Sequence, residues 1–266
     1  MSQSVKTERR GKVLELTLDR PPANAIDDAT NQALYHAFCE FRDDDSLMAC
    51  LITGGGDRIF SAGWDLKAAA AGDEPLPTEN PEPPAFLPEM FDLHKPIVAA
   101  INGYAVGGGF ELALGADLII AAENAEFFLP EMQRGFLPDG GAIQILWRRI
   151  PYHVFMDMML TGRRLSALEA QRWGLVRDVV PLNDLMEHAR QLTEQIAEGA
   201  PLALQALKEF LRASDSISIK DSFAIAREAW AGKSKLEFLP RTYTSEDMLE
   251  GLNAFAEKRK PVWKGR

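Results

Sequence analysis

Two carboxylates and a run of glycines carry the most chemistry in this sequence. Gly107, Gly108 and Gly109 stand directly before FELAL, a stretch that reads as a helix. Glycine lets a ligand approach the backbone closely, and a helix N-terminus presents N–H groups without intrahelical partners. Such donors suit an oxyanion developing on a carbonyl, where one well-placed donor contributes about 3–4 kcal/mol. The spacing is not G-x-G-x-x-G, so the run is not a dinucleotide fingerprint. No Lys-Ser or Lys-Thr follows it, so it is not a phosphate loop. A turn that serves only packing fits the glycines equally well. Glu111 falls two residues beyond the run, in the first helical turn, where the macrodipole favours an anion. A glutamate there is also ordinary helix chemistry. Glu131 follows twenty residues later, after the apolar run Phe127 to Leu129 and Pro130. A charge just past a short strand lies where α/β proteins place ligands. Two carboxylates converging on one water can divide the work of acid and base if their surroundings split their pKa values.

A second loop, GGGDRIFSAGWDLK, offers backbone donors around Ala62, Gly63 and Trp64. Ser61 within it is not in a G-x-S-x-G elbow, which argues against a serine hydrolase. His36, His94, His153 and His188 show no metal-ligand spacing. Cys39 lies near His36 on an amphipathic stretch and reads as a buried, inert thiol.

The elements that must position these groups alternate between strand and helix. Leu14, Leu16 and Leu18 alternate with Val13, Glu15 and Thr17, a strand pattern. Asp27 is placed as a helix N-cap, with Leu34, Ala37, Phe38 and Phe41 on one helical face. MACLIT and PIVAAI read as strands, the second apolar throughout as for burial on both faces. VRDVVP reads as a last strand. The alternation points to an α/β class with parallel pairing and no evident internal repeat. Residues 72–88, rich in Pro and acidic side chains, read as an extended loop, either a lid or a surface insertion. From Pro181 onward the pattern is helical.

The chain has 266 residues with 46% hydrophobic and 26% charged, ordinary for a soluble globular protein. A net charge of −10 argues against nucleic-acid and anionic-membrane surfaces. Two cysteines are too few for a disulfide framework and fit a reducing cytoplasm. The polar opening MSQSVKTERRGK lacks the apolar run of a signal peptide, and no stretch reaches membrane-span length. A cytoplasmic location is the expectation.

The residues taken together resemble the crotonase, or enoyl-CoA hydratase/isomerase, superfamily. The segments that carry the resemblance are LELTLDRPPANAID, ITGGGDRIFSAGWDLK, KPIVAAINGYAVGGGFELALGADLIIAAENAEFFLPE, LTGRRLSALEAQRWGLVRDVV and FAEKRKPVWKGR, in family order and at family spacing. The resemblance implies ββα units wound into a spiral core over residues 1–195. Residues 196–266 would form a C-terminal helical region for assembly into a homotrimer or a dimer of trimers. It implies an oxyanion hole from the backbone N–H groups of Trp64 and Gly108. Glu111 matches the family glutamate three residues after the hole glycine, and Glu131 matches the second glutamate of hydratases, which many other members lack. Ala62, Trp64, Asp65, Leu66, Lys67 and Gly108 would line the acyl-CoA site, with Lys67 near a CoA phosphate. Trp263 and Lys264 match C-terminal positions near the CoA pocket, including that of a neighbouring subunit. The implied reaction is reversible addition of water to an α,β-unsaturated acyl-CoA thioester, with no metal or redox cofactor, coenzyme A being part of the substrate.

Two departures from the family pattern bear on the acyl group. Many enoyl-CoA hydratases carry a small apolar residue where this chain has Trp64. Asp139, in GFLPDGGA, adds a third carboxylate where many have glycine. Asp139 can tune the glutamates, recognise a polar acyl group or cap the next helix. If the acyl group bears a trimethylammonium, Trp64 and Asp139 can hold it through ring face and charge. General short-chain enoyl-CoA hydration, double-bond isomerisation, and a non-catalytic acyl-CoA-binding role stay open at this point.

Overall fold

The computed structural model describes residues 4–72 and 87–266. The Pro/acidic segment 72–88 falls almost wholly outside them. Strands β1 (Val5–Arg10) and β2 (Val13–Leu18) form an antiparallel hairpin. The polar opening residues show no strand period by type. Only Val5 of β1 is buried, so this edge strand shows charge rather than alternation. After β3 (Ala25–Ile26), the Asp27 side chain caps α1 (Asp28–Asp43) by accepting from the Thr30 N–H. Leu34, Ala37, Phe38 and Phe41 of α1 are all buried, as their spacing requires. Cys39 is half-buried rather than buried, because it sits at the margin of that apolar stripe.

The chain continues through β4 (Ala49–Gly54), β5 (Ile59–Ser61), β6 (Gly63–Trp64) and α2 (Leu66–Ala71). Strands β5 and β6 lie where the sequence reads as loop, being too short to show a period. Next come β7 (Ile97–Ile101), β8 (Tyr104–Val106), α3 (Gly108–Leu114), β9 (Leu118–Ala122) and β10 (Glu126–Phe128). A π-helical turn at Ala142–Leu146 runs into α4 (Trp147–Arg149) and α5 (Tyr152–Thr161). Strand β11 (Leu165–Ser166), α6 (Ala167–Arg172) and β12 (Asp178–Val180) complete the mixed part. The rest is helical: α7 (Leu185–Ala197), α8 (Pro201–Ser214), α9 (Ile219–Trp230), α10 (Phe238–Thr244) and α11 (Glu246–Glu257).

The strands fall into a large sheet ordered β1-β2-β4-β7-β9-β12, a second ordered β11-β10-β8-β5, and the β3-β6 pair. Pairing is parallel from β2 through β12. Each of β4, β7 and β9 in the large sheet is followed at once by β5, β8 or β10 in the second. This alternation is the repeated ββα spiral of the crotonase fold. One face of the large sheet packs on α7 through Leu51, Val98, Ala100, Ile120, Leu185 and Ala189. The other encloses the main core with α1, α3 and the second sheet. Glu15 of β2 is buried and held by both Arg190 of α7 and Arg10. Helix α8 is tied to the core by Lys208, which pairs with Asp117 at 2.8 Å. Glu209 accepts from three backbone N–H groups at the start of α10. Helices α9 and α11 leave Ile219, Phe223, Trp230, Leu249, Leu252 and Phe255 exposed. Among the described residues no helix is long and apolar enough to cross a membrane.

Candidate active site

Strands β8 and β10 run parallel in register, with Val106 opposite Phe128, so the segments that follow them emerge side by side. After β8 the chain turns through Gly107 into α3; after β10 it turns through Pro130 into a 3-10 turn that begins at Glu131. The helix starts at Gly108, so only Gly107 precedes it and the other two glycines lie inside its first turn. Gly107 has φ +52°, and a Cβ there would collide with Glu131 Oε1. The glycine is required both by its backbone angle and by the carboxylate packed on it. Glu111, in the first turn of α3, donates its N–H to the Gly107 carbonyl at 3.0 Å.

Strand β6 closes on the same helix start. Gly63, at φ +76°, packs so tightly that a Cβ would lie 2.7 Å from the Gly108 N and 2.6 Å from the Val106 O. The backbones of Trp64 and Gly108, the expected oxyanion pair, are therefore neighbours. The Gly108 N–H is among the first of α3, which have no intrahelical acceptor. The loop that carries Trp64 is held by several bonds. Ser61 Oγ donates to the Asn24 carbonyl at 2.7 Å and accepts from the Gly63 N–H at 3.1 Å. The Asp65 N–H donates to the Ile26 carbonyl at 3.0 Å. Arg20 pairs with both Asp27 and Asp65, each at 2.8 Å.

Both glutamates are buried, with 3% of Glu111 and 6% of Glu131 exposed, so neither is a surface helix charge. Burial pushes the Glu111 carboxyl up to about 7. The Ala142 N–H, 3.1 Å from Glu111 Oε1, opposes that rise, while the charges of Glu131 and Asp139 add to it. Burial also pushes Glu131 up to about 7, offset in part by its own backbone N–H and Arg134 and reinforced by Asp139. Glu131 Oε2 is buried without a hydrogen-bond partner among the described residues. Burial raises both carboxyls alike rather than splitting them, and the like charge of Glu131 on Glu111 disfavours ionising both, so near neutral pH one can stay protonated as acid while the other serves as base.

The other expected residues divide. Asp65 is occupied structurally: besides Arg20, it caps α2 by accepting from the Lys67 and Ala68 N–H groups, both at 3.2 Å. Ala62 is half-buried beside the hole, and Leu66 and Lys67 are exposed on α2. Asp139 is exposed and does not cap the following turn, which starts from Gly141 without a side-chain bond. Its carbonyl instead accepts from Gln144 at 2.7 Å. Trp263 donates from Nε1 to the Glu198 carbonyl at 2.8 Å, and Lys264 pairs with Glu246 at 3.0 Å. These contacts lie at the end of α7 and on α11, and Lys264 stands among acidic side chains there, not beside the two glutamates. Sequence reasoning did not find Ala142, whose backbone holds Glu111, nor Arg134 and Phe136. A backbone donor leaves no residue-type signal, although the Gly140-Gly141 pair marks the turn that delivers it. Among the described residues no group of three His, Cys, Asp or Glu side chains is placed to hold a metal ion.

Comparison with known proteins gives consistent results. The family model described as Enoyl-CoA hydratase/isomerase matches residues 8–266. A protein of Proteus mirabilis (strain HI4320) named carnitinyl-CoA dehydratase is 52% identical over 266 residues, covering 100% of both chains. One of the same name from Salmonella typhi is also 52% identical over the full length of both. A solved enoyl-CoA hydratase from Mycobacterium tuberculosis H37Rv superposes with a TM-score of 0.87 at 37% identity, covering 100% of both chains.

Proposed function

The chain belongs to the enoyl-CoA hydratase/isomerase family, and from that premise we propose that it adds water reversibly to an α,β-unsaturated acyl-CoA thioester. The observation that carries this reading is the pair of buried carboxyls, both raised to about 7, beside the start of α3. Moving a double bond needs one base that shuttles a proton. Adding water needs a second group to hold and orient the water, and Glu131 Oε2 supplies an unsatisfied acceptor for it. The thioester oxygen docks at the backbone N–H groups of Trp64 and Gly108. Water held by Glu111 and Glu131 attacks the β-carbon and loses a proton to one carboxylate. The enolate charge gathers on the thioester oxygen, which the hole stabilises. The other carboxyl delivers a proton to the α-carbon. Dehydration is the reverse.

For the acyl group, the relatives named carnitinyl-CoA dehydratase favour a trimethylammonium-bearing chain, that is, crotonobetainyl-CoA and carnitinyl-CoA. Trp64 and Asp139 supply a ring face and a negative charge suited to it. The coenzyme A portion lies along Ala62 and residues 64–67, with Lys67 free to approach a phosphate. Trp263 and Lys264 reach the CoA from a neighbouring copy. The exposed apolar side chains of α9 and α11 support assembly of the chain into a trimer or a dimer of trimers.

The test is a panel of enoyl-CoA thioesters, crotonobetainyl-CoA included, followed by loss of the conjugated enoyl absorbance. Glu111→Gln and Glu131→Gln are each expected to lose about 10³-fold in turnover while binding the CoA ester within roughly threefold. A near-normal rate in either variant overturns the pair. Binding without turnover of any ester by the unmodified protein favours a non-catalytic role.

A further inference from the structure

Trp64 does not stand alone at the site. The Phe136 ring lies 6.1 Å from the indole, with the two planes at 83°, the edge-to-face arrangement that aromatic pairs prefer. The two rings come from opposite sides. Trp64 is carried by β6, whose backbone packs on Gly108. Phe136 follows the turn that begins at Glu131, and its N–H donates to the Glu131 carbonyl at 3.3 Å. The ring pair therefore links the oxyanion side of the site to the acid/base side. Neither ring is core material: both are half-buried. Three residues beyond Phe136, Asp139 is exposed, and its carboxylate has no hydrogen bond or ion pair among the described residues. A ring packed perpendicular to the indole restrains its rotation, and the Asp139 charge lies close enough to act on both glutamates, which puts it at the same site.

We propose that Phe136 is a positioning residue for substrate choice, holding the Trp64 indole so that its face and the Asp139 carboxylate together accept a quaternary ammonium on the acyl group. This rests on the reading of the substrate as a cationic enoyl-CoA. Phe136 touches no reacting atom; it acts through Trp64. An aromatic wall favours any greasy chain, so selectivity between a cation and its neutral isostere decides the matter, not rate alone.

The experiment measures kcat and KM for crotonobetainyl-CoA and for 5,5-dimethylhex-2-enoyl-CoA, in which a quaternary carbon replaces the nitrogen. Phe136→Leu is expected to lower kcat/KM for the cationic ester about tenfold, mainly through KM, with the neutral ester changed by less than about threefold. Phe136→Tyr, which keeps the ring, is expected to restore selectivity. An equal loss on both esters, or no loss on either, overturns the proposal while leaving the hydratase reading intact. If the unmodified protein turns over neutral esters but not crotonobetainyl-CoA, both the substrate reading and this proposal fall.

Discussion

Replacing Glu131 with glutamine removes a buried ionisable group while nearly keeping its shape, and the effect on stability must change with pH. In the folded chain burial pushes this carboxyl up to about 7 from 4.5. A carboxyl with a higher pKa folded than unfolded holds its proton more tightly in the fold. Its contribution is fully present below about pH 4.5. It is lost as pH rises through about 7, because the folded chain must then ionise a group that the unfolded chain ionises in water. At about 1.4 kcal/mol per pH unit, the rise corresponds to about 3 kcal/mol. Glutamine does not titrate. Relative to the unmodified protein, Glu131→Gln is therefore expected to gain on the order of 2–3 kcal/mol between about pH 5 and about pH 8.5. For a chain of this size that is a relative rise in Tm of roughly 4–6 °C. Thermal melts at both pH values, at one protein concentration because assembly makes Tm concentration-dependent, measure it directly. An identical Tm difference at the two pH values would refute the reasoning. It would mean that Glu131 ionises in the fold as easily as in water.

Two further outcomes follow from the geometry. Gly107→Ala places a methyl group against Glu131 Oε1 at a backbone angle of +52°, and is expected to cost about 10²-fold or more in kcat. Steady-state kinetics with a circular-dichroism control check this, and near-normal kcat would show that Glu131 is not seated against the turn. Glu15→Ala removes the partner of Arg190 and Arg10, whose side chains are themselves partly exposed, and is expected to destabilise by about 1–2 kcal/mol in denaturant melts. Its pH dependence has the opposite sign to that of Glu131. Hydrogen bonds from Arg190 hold the Glu15 carboxyl below the ordinary range, so the pair's contribution is present above about pH 4.5 and lost as pH falls. A melt difference that persists unchanged into acid would contradict that assignment.

The sequence by itself determined the local elements wherever a period or a cap was long enough to read. Helix α1, from its Asp27 cap to the stripe ending at Phe41, and the fully buried strand β7 belong here. So does the shortlist of candidate site residues: the glycine run, Glu111 and Glu131 stand out by residue type and spacing, and the resemblance to family motifs made the two glutamates a proposed pair. Tertiary structure alone decided what those residues experience. Strand β1 is exposed and mostly charged beyond Val5 because it lies at a sheet edge, and the ββα repeat left no residue pattern because its second strands, β5, β8 and β10, are only three residues long. The raised carboxyls depend on burial, and at Glu111 that rise is opposed by the Ala142 N–H, which arrives from a turn thirty-one residues beyond it. Asp139 is likewise a capping candidate by type and an exposed carboxylate acting on both glutamates by position. Residue type supplies a carboxylate, but its pKa is set by desolvation and by neighbours that only the folded chain brings within reach.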